Sequence, residues 1–192
     1  MKKLFTILTV LTLTTTISFA QAQFGATAGL NMANVSGDDM DADMKIGMHV
    51  GVSASFELSD AMTLKTGALY SMKGMQDSEG GETVKFNLSY IEIPANLSFA
   101  VSDQMFLMAG PYIGLLMSAK VMWDGDEVLD LKDDIRAMDL GINIGAGFAV
   151  TEVISINAGY QMGLTSLDDE GDGDGKNANI HIGMTYSFGG GY

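Results

Sequence analysis

Lys45-Ile46-Gly47-Met48-His49-Val50-Gly51-Val52-Ser53-Ala54-Ser55-Phe56-Glu57-Leu58 separates into two sets when alternate residues are taken together. Ile46, Met48, Val50, Val52, Ala54, Phe56 and Leu58 form one set, wholly apolar. Lys45, Gly47, His49, Gly51, Ser53, Ser55 and Glu57 form the other. Side chains of a β-strand point alternately to opposite faces, so this is a strand with one apolar face. Close variants recur down the chain. The polar sets are mostly Gly, Ser, Asn and Thr, whereas a sheet surface facing water is roughly a quarter to a third charged. The apolar sets are therefore expected to face lipid and the small polar sets a narrow lumen. The fold class implied is all-β: an eight-stranded antiparallel up-and-down transmembrane β-barrel.

Residues 1–22 read as a signal peptide, leaving 23–192 as one barrel domain. Lys2 and Lys3 form a basic start, an apolar stretch runs from Leu4 to Phe19, and small residues follow. Cleavage after Ala20 or after Ala22 fits equally. The stretch is too short for a comfortable membrane helix. The chain has no cysteine, so neither a lipoprotein anchor nor a disulfide-stapled module is expected. No later segment offers the ~18 consecutive apolar residues of a spanning helix. In hydrocarbon every backbone amide must be bonded internally, which leaves a closed sheet as the spanning structure. A soluble periplasmic barrel or sandwich would also alternate. The uncharged polar face and the connections decide against it.

Strands are expected at about 24–35, 45–58, 61–73, 84–101, 104–118, 136–150, 153–165 and 177–188. Ser59-Asp60, Ser102-Asp103 and Thr151-Glu152 then read as tight turns, alternating with four longer segments at 36–44, 74–83, 119–135 and 166–176. Short periplasmic turns and longer outer loops are the asymmetry of an outer-membrane barrel. The long segments carry four, three, six and five acidic residues, 18 of the chain's 24. Asp60, Asp103 and Glu152 sit in the turns, and Glu57, Glu92 and Asp139 on polar strand faces. None falls on the apolar face, where a mid-membrane charge costs several kcal/mol.

Seven phenylalanines lie beyond the signal. Phe24, Phe56, Phe99, Phe106, Phe148 and Phe188 fall near turn-proximal strand ends, as an interfacial aromatic girdle requires. Phe106 fits least, because its parity points inward. Tyr70, Phe86 and Tyr160 belong to the outer girdle or to the mid-barrel surface. His181-Ile182-Gly183-Met184-Thr185-Tyr186-Ser187-Phe188 is similar to the last-strand signal read by the outer-membrane assembly machinery.

Several segments carry a family likeness: Gly29-Leu30-Asn31, Tyr70-Ser71-Met72-Lys73-Gly74, Tyr90-Ile91-Glu92-Ile93-Pro94, Gly110-Pro111-Tyr112 and Asp139-Leu140-Gly141. Ala119-Lys120, Leu131-Lys132-Asp133, Gly163-Leu164-Thr165, Lys176-Asn177 and Tyr186-Ser187-Phe188 extend it over nearly all of the mature chain. The chain resembles the outer-membrane β-barrel domain family of Bacteroidetes, the PorT-like or porin family proteins. That resemblance implies an eight-stranded outer-membrane barrel and, for most members, no defined ligand or reaction. The chain departs from the pattern at Gly159-Tyr160, where a basic residue often precedes the tyrosine.

Charged and titratable residues on the polar faces are the candidate lumen network: His49, Lys65, Lys73, Glu92, Arg136, Asp139 and His181. An eight-stranded barrel is just wide enough for side chains to fill it, and buried ions without partners are costly. Pairing is therefore expected, with Glu92 facing Lys65 or Lys73. No nucleophile elbow or other reaction motif is present, so no catalytic residue, no enzyme activity and no cofactor is expected. Asp168, Glu170, Asp172 and Asp174, interleaved with glycines, are weak candidates for a hard cation such as calcium. They lack the bidentate glutamate of an EF-hand, Asn179 standing at the twelfth position. Asp38, Asp39, Asp41 and Asp43 form a similar cluster without the glycines. Trp123, the only tryptophan, lies in the longest acidic segment.

Net charge is −14, and more negative once Lys2 and Lys3 are removed. An acidic exterior disfavours nucleic acid and favours basic partners or counter-ions. The partners expected are outer-membrane lipid, the assembly machinery during biogenesis and weakly held divalent cations at the loops; the barrel is expected to be a monomer. The function expected is that of a non-enzymatic outer-membrane barrel with a closed or narrow polar lumen and acidic extracellular loops, in a structural or surface-interaction role. The alternative is a porin-like channel for small solutes. Processing is directly testable: intact mass of the protein from outer membranes should correspond to a chain starting at Gln21 or Gln23, and a mass retaining Lys2 and Lys3 contradicts the signal.

Overall fold

A computed structural model describes residues 22–37, 43–79, 82–124, 126–168 and 175–189. Nine strands run in chain order: β1 (Ala22–Ser36), β2 (Asp43–Ser59), β3 (Met62–Glu79), β4 (Glu82–Ala100), β5 (Met105–Trp123), β6 (Asp126–Asp130), β7 (Met138–Ala149), β8 (Ile154–Gly163) and β9 (Lys176–Ser187). All pairings are antiparallel. β4 pairs with β5, β5 with β7, and β1 with β9, so eight long strands close into a ring while β6 hangs on β5 alone. The β1–β9 seam runs from Gly25 opposite Ser187 to Ser36 opposite Lys176.

Alternation along each strand divides inside from outside. Leu30, Val50, Val52, Ile144, Ile156 and Ile182 are half or more exposed on the outer surface, or close to it, whereas Thr27, Asn31, His49, Ser71, Asn143 and Asn179 are buried within. The inner and outer faces expected from 45–58 are therefore those of the fold. Phe24, Phe99, Phe148 and Phe188 lie exposed at the short-turn end. Phe106 leaves the girdle, because its ring turns inward beneath the Lys65 ammonium, 3.6 Å from the ring centroid. Tyr70 and Tyr160 face outward, while Phe86 packs inward.

Two features differ from the expected layout. First, β3, β4 and β5 are 18, 19 and 19 residues long, against 12, 10 and 12 for β7, β8 and β9. Spanning takes about 9–11 residues, so one wall of the barrel continues well past the other. Much of 74–83 and 119–135, read above as loop, is thus paired strand. Acidic residues are tolerated on both faces once a sheet has emerged into water, so charge marked the end of the membrane and not the end of the strand. Asp124, at φ 52, makes the β5–β6 turn in the left-handed region that aspartate tolerates better than most residues. Second, of the three expected tight turns only β2–β3 has two residues outside its strands, Asp60 and Ala61. Residues 101–104 and 150–153 form longer turns in which the Ser102 and Thr151 hydroxyls accept backbone N–H bonds from residues two and three positions on.

The strand pattern also shifts once inside β5. A bulge opposite Ser89 and Tyr90 leaves Met117 facing outward next to Leu116 and Ala119, both buried. From there Val35, Leu88, Tyr90, Leu116, Ala119 and Leu167 form an apolar cluster inside the ring at the long-connection end, flanked by Met75, Phe86, Leu131 and Ile135. Gly74, at φ +121, lets β3 enter this region; a Cβ there would collide with the Phe86 carbonyl oxygen. Leu30, midway along β1, should be among the most sensitive outward sites: Leu30→Arg is expected to destabilise the barrel by about 2–4 kcal/mol, measured by denaturant unfolding from lipid vesicles.

Candidate functional site

Three charged side chains on three strands meet inside the barrel. Lys73 lies on the inward set of β3 with Lys65, Gly67, Leu69 and Ser71. Glu92 lies on the inward set of β4, and Asp139 begins that of β7. Register puts Lys73 opposite Leu88 and Glu92 opposite Leu69, so the lysine stem leans along the barrel to bring its Nζ 2.7 Å from Glu92 Oε2. The same Nζ is 3.9 Å from Asp139 Oδ2. All three residues are at most 2% exposed. The ammonium also lies 4.4 Å from the Tyr112 ring centroid and 5.8 Å from that of Tyr90, where an aromatic face attracts a cation.

Neutral donors complete the carboxylates. Asp139 accepts hydrogen bonds from Tyr112 Oη at 3.1 Å, Asn177 Nδ2 at 2.9 Å and Thr165 Oγ1 at 3.3 Å. Gln161 Nε2 donates to Glu92 Oε1, and Asn179 Nδ2 donates to Gln161 Oε1 at 2.9 Å. Asn179 reaches Asn31 Oδ1 at 3.3 Å, and His49 Nδ1 meets the same oxygen at 2.9 Å. An amide oxygen has no hydrogen to give, so His49 Nδ1 is the donor there. Asn31 Nδ2 in turn donates to Ser71 Oγ at 3.1 Å and the Met72 carbonyl at 3.0 Å. A continuous polar chain therefore joins Asp139 to His49, drawing one residue from each of seven strands. Space for it comes from glycine: a Cβ at Gly141 would run into the Tyr112 ring.

Chemically this is a neutralising cage. Each carboxylate accepts several donors, the one ammonium serves both, and an amide rather than a serine holds His49. His181 stands edge-on to His49, with ring centroids 6.1 Å apart. The fold and this interior geometry agree with what the whole sequence matches, the outer membrane protein beta-barrel domain family, over residues 19–169. The chain belongs to that family. It is accordingly an outer-membrane barrel, embedded in the lipid bilayer by its apolar exterior. Among solved structures it is similar to Ail, the attachment invasion locus protein of Yersinia pestis, at 17% identity over 88% of this chain and 99% of that one, with a TM-score of 0.55. It is likewise similar to Neisserial surface protein A, at 17% identity over 87% and 99%, with a TM-score of 0.59. At these identities the likeness is one of fold. No curated protein matches the chain in sequence.

Within this family barrel the expected lumen residues do not all gather. Lys73, Glu92 and Asp139 meet, and His49 joins them through Asn31. Lys65 lies toward the short-turn mouth over Phe106. Arg136 lies half-buried in the connection from β6 to β7. Its Nη2 donates to the Asp168 carbonyl at 3.2 Å and its backbone N–H to that of Leu167. The cause is the start of β7 at Met138, two residues later than the alternation suggested. Asp168 pairs with Ile135 in an isolated bridge; Glu170, Asp172 and Asp174 lie outside the described residues, as do Asp38, Asp39 and Asp41. Among the described residues no group of three or more His, Asp or Glu is placed to hold a metal. Residues 1–21, on which most of the expected signal falls, are likewise outside them.

Asn31, Tyr90, Tyr112, Gln161, Asn177 and Asn179 join the network without a charge to mark them in the sequence. Their signal was present: Asn177, Asn179 and His181 alternate with Ala178, Ile180 and Ile182 on β9. Removing the central cation tests the cage. Lys73→Met should cost about 3–5 kcal/mol by leaving two carboxylates without their cation. Adding Glu92→Gln and Asp139→Asn should recover much of that loss, read by a mutant cycle in denaturant unfolding.

Proposed function

We propose that this chain is a non-enzymatic outer-membrane barrel with a closed interior, acting structurally or through its acidic outer connections on partners at the cell surface. One observation carries the reading. Lys73, Glu92, Asp139, Tyr90 and Tyr112 cross the interior at nearly zero exposure, and the apolar cluster around Leu88 and Leu116 follows on the long-connection side. An ion moving along the axis would have to part a buried ion pair and then enter an apolar plug, both unfavourable steps. The interior of an eight-stranded ring leaves little room to go around them.

Charge supports a surface-directed role for cationic partners. The outer connections hold most of the chain's acidic residues, and Asp124, Asp126, Glu127 and Asp130 surround the exposed Trp123, Val128 and Leu129 on the β5–β6 hairpin. Ail has been crystallised in complex with the heparin analogue sucrose octasulfate. An acidic exterior suits a polysulfated ligand poorly, so basic protein segments and divalent counter-ions fit this chain better. The finer likeness to PorT-like proteins of Bacteroidetes is part of the same reading, as is insertion by the outer-membrane assembly machinery through the last-strand pattern ending at Phe188.

A porin-like channel is the second reading, and what favours it is the open cavity of about 670 Å³ at the short-turn mouth, lined by Glu57, Thr63, Lys65, Ser98 and Phe106. Planar-bilayer recording separates the two. Purified barrel is expected to give no single-channel steps, and reproducible steps that change size in Lys73→Ala would replace the closed-barrel reading with the channel.

A further inference from the structure

Between the charged cage and the short-turn mouth lies a cavity of about 70 Å³ lined in part by Glu92, Asn96, Asn143, Gln161 and His181. Its walls carry buried polar atoms without partners, two of them amide oxygens. Asn96 Oδ1, Asn143 Oδ1 and His181 Nδ1 are buried and have no hydrogen-bond partner among the described residues. Their residues are 7%, 3% and 8% exposed. Glu92 adds a carboxylate from the same wall. Buried acceptors are nearly always satisfied, and amide oxygens and carboxylates are hard-cation ligands.

We propose that a small monovalent cation binds inside the barrel between the Glu92 carboxylate and the side-chain oxygens of Asn96 and Asn143. Charge number follows from the ligands. The Glu92 carboxylate is already shared with Lys73 and Gln161, which leaves too little negative charge for a divalent ion. Size follows from the cavity, since a single water occupies about 10–15 Å³ on this measure and the space admits an ion with a few waters.

Shared lining residues lead from the site toward the short-turn mouth. The cavity shares Leu69, Pro94, Asn96 and Met108 with a second of about 90 Å³. That one shares Lys65 and Phe106 with the open mouth. Glu57, Asp60 and Asp103 at the mouth concentrate cations, and Lys65 over Phe106 forms the neck they pass. Beyond Glu92 the Lys73 ammonium closes the way. The site is therefore a blind one, entered and left from the short-turn side, and it is independent of any surface partner.

Unfolding of the purified barrel in sodium, potassium or ammonium chloride, compared with choline chloride at equal ionic strength, tests the site. The folded-to-unfolded ratio should rise about tenfold for each tenfold increase in a small cation above its dissociation constant. Choline, too large for the cavity, should give no rise. Asn96→Leu and Asn143→Leu should abolish the dependence. Wild-type crystals grown in a rubidium salt should carry an anomalous peak between Glu92, Asn96 and Asn143, a readout that survives if the leucine variants do not fold. Response to one of the three small cations identifies the ion. Identical unfolding in all four salts, or a cavity holding water alone in the rubidium crystals, overturns the proposal.

Discussion

Backbone hydrogen bonding in hydrocarbon is the constraint on which the rest of this structure depends. A strand edge in lipid leaves donors and acceptors unmet at several kcal/mol each, so the first and last strands must find one another. β1 and β9 do so over twelve residue pairs, and the Phe188 N–H reaches the Phe24 carbonyl at 2.7 Å to finish the seam. Once the ring is closed, alternation has one arrangement compatible with lipid: Leu30, Val50, Ile144 and Ile182 outside, Asn31, His49, Asn143 and Asn179 inside. The same constraint ends at the membrane surface, which is why β3, β4 and β5 continue beyond it with charges on either face and why β6 can hang there with only one neighbour.

Closing eight strands creates a second problem, a narrow interior that must be both filled and neutral. Glycine opposite tyrosine at Gly141 and Tyr112 addresses the filling. The Lys73 ammonium between Glu92 and Asp139, with the Gln161 amide on Glu92, the Asn177 amide on Asp139 and Asn179 holding Gln161 from behind, addresses the charge. Such a cage is weak evidence of stability, because taking the ions out of water offsets much of their attraction. It is strong evidence of specificity, since each donor has a defined acceptor on another strand and a register slip would disconnect several at once. Toward the long connections the interior turns apolar, and toward the short turns it opens, so the two ends of the barrel are chemically unlike.

How much of this was legible in the residues depends on the range of the interaction. Period-two alternation is local, and it placed the inner and outer faces of every long strand. It left Glu92 a choice between Lys65 and Lys73; the β3–β4 stagger gives it to Lys73, while Lys65 goes to Phe106. Acidic composition was a poor guide to strand ends at 74–83 and 119–135, because β pairing in water does not exclude charge. Arg136 lies in a connection for the reverse reason, alternation in the sequence running two residues ahead of Met138, where β7 begins to pair. The apolar plug was hidden by composition: Leu88 and Leu116 share the inward parity of Glu92 and Tyr112 although they are apolar, and the bulge at Met117 brings Ala119 inward beside them.

By itself the sequence determined the fold class and the faces of the strands, both of which follow from which neighbours a residue has along the chain. Only the tertiary structure decided who meets whom inside. Asn31 and Asn179 share a hydrogen bond across 148 residues, and no local pattern encodes such a contact. It exists because strand tilt and register, set by closing the whole ring, bring particular residues to the same height on the barrel axis.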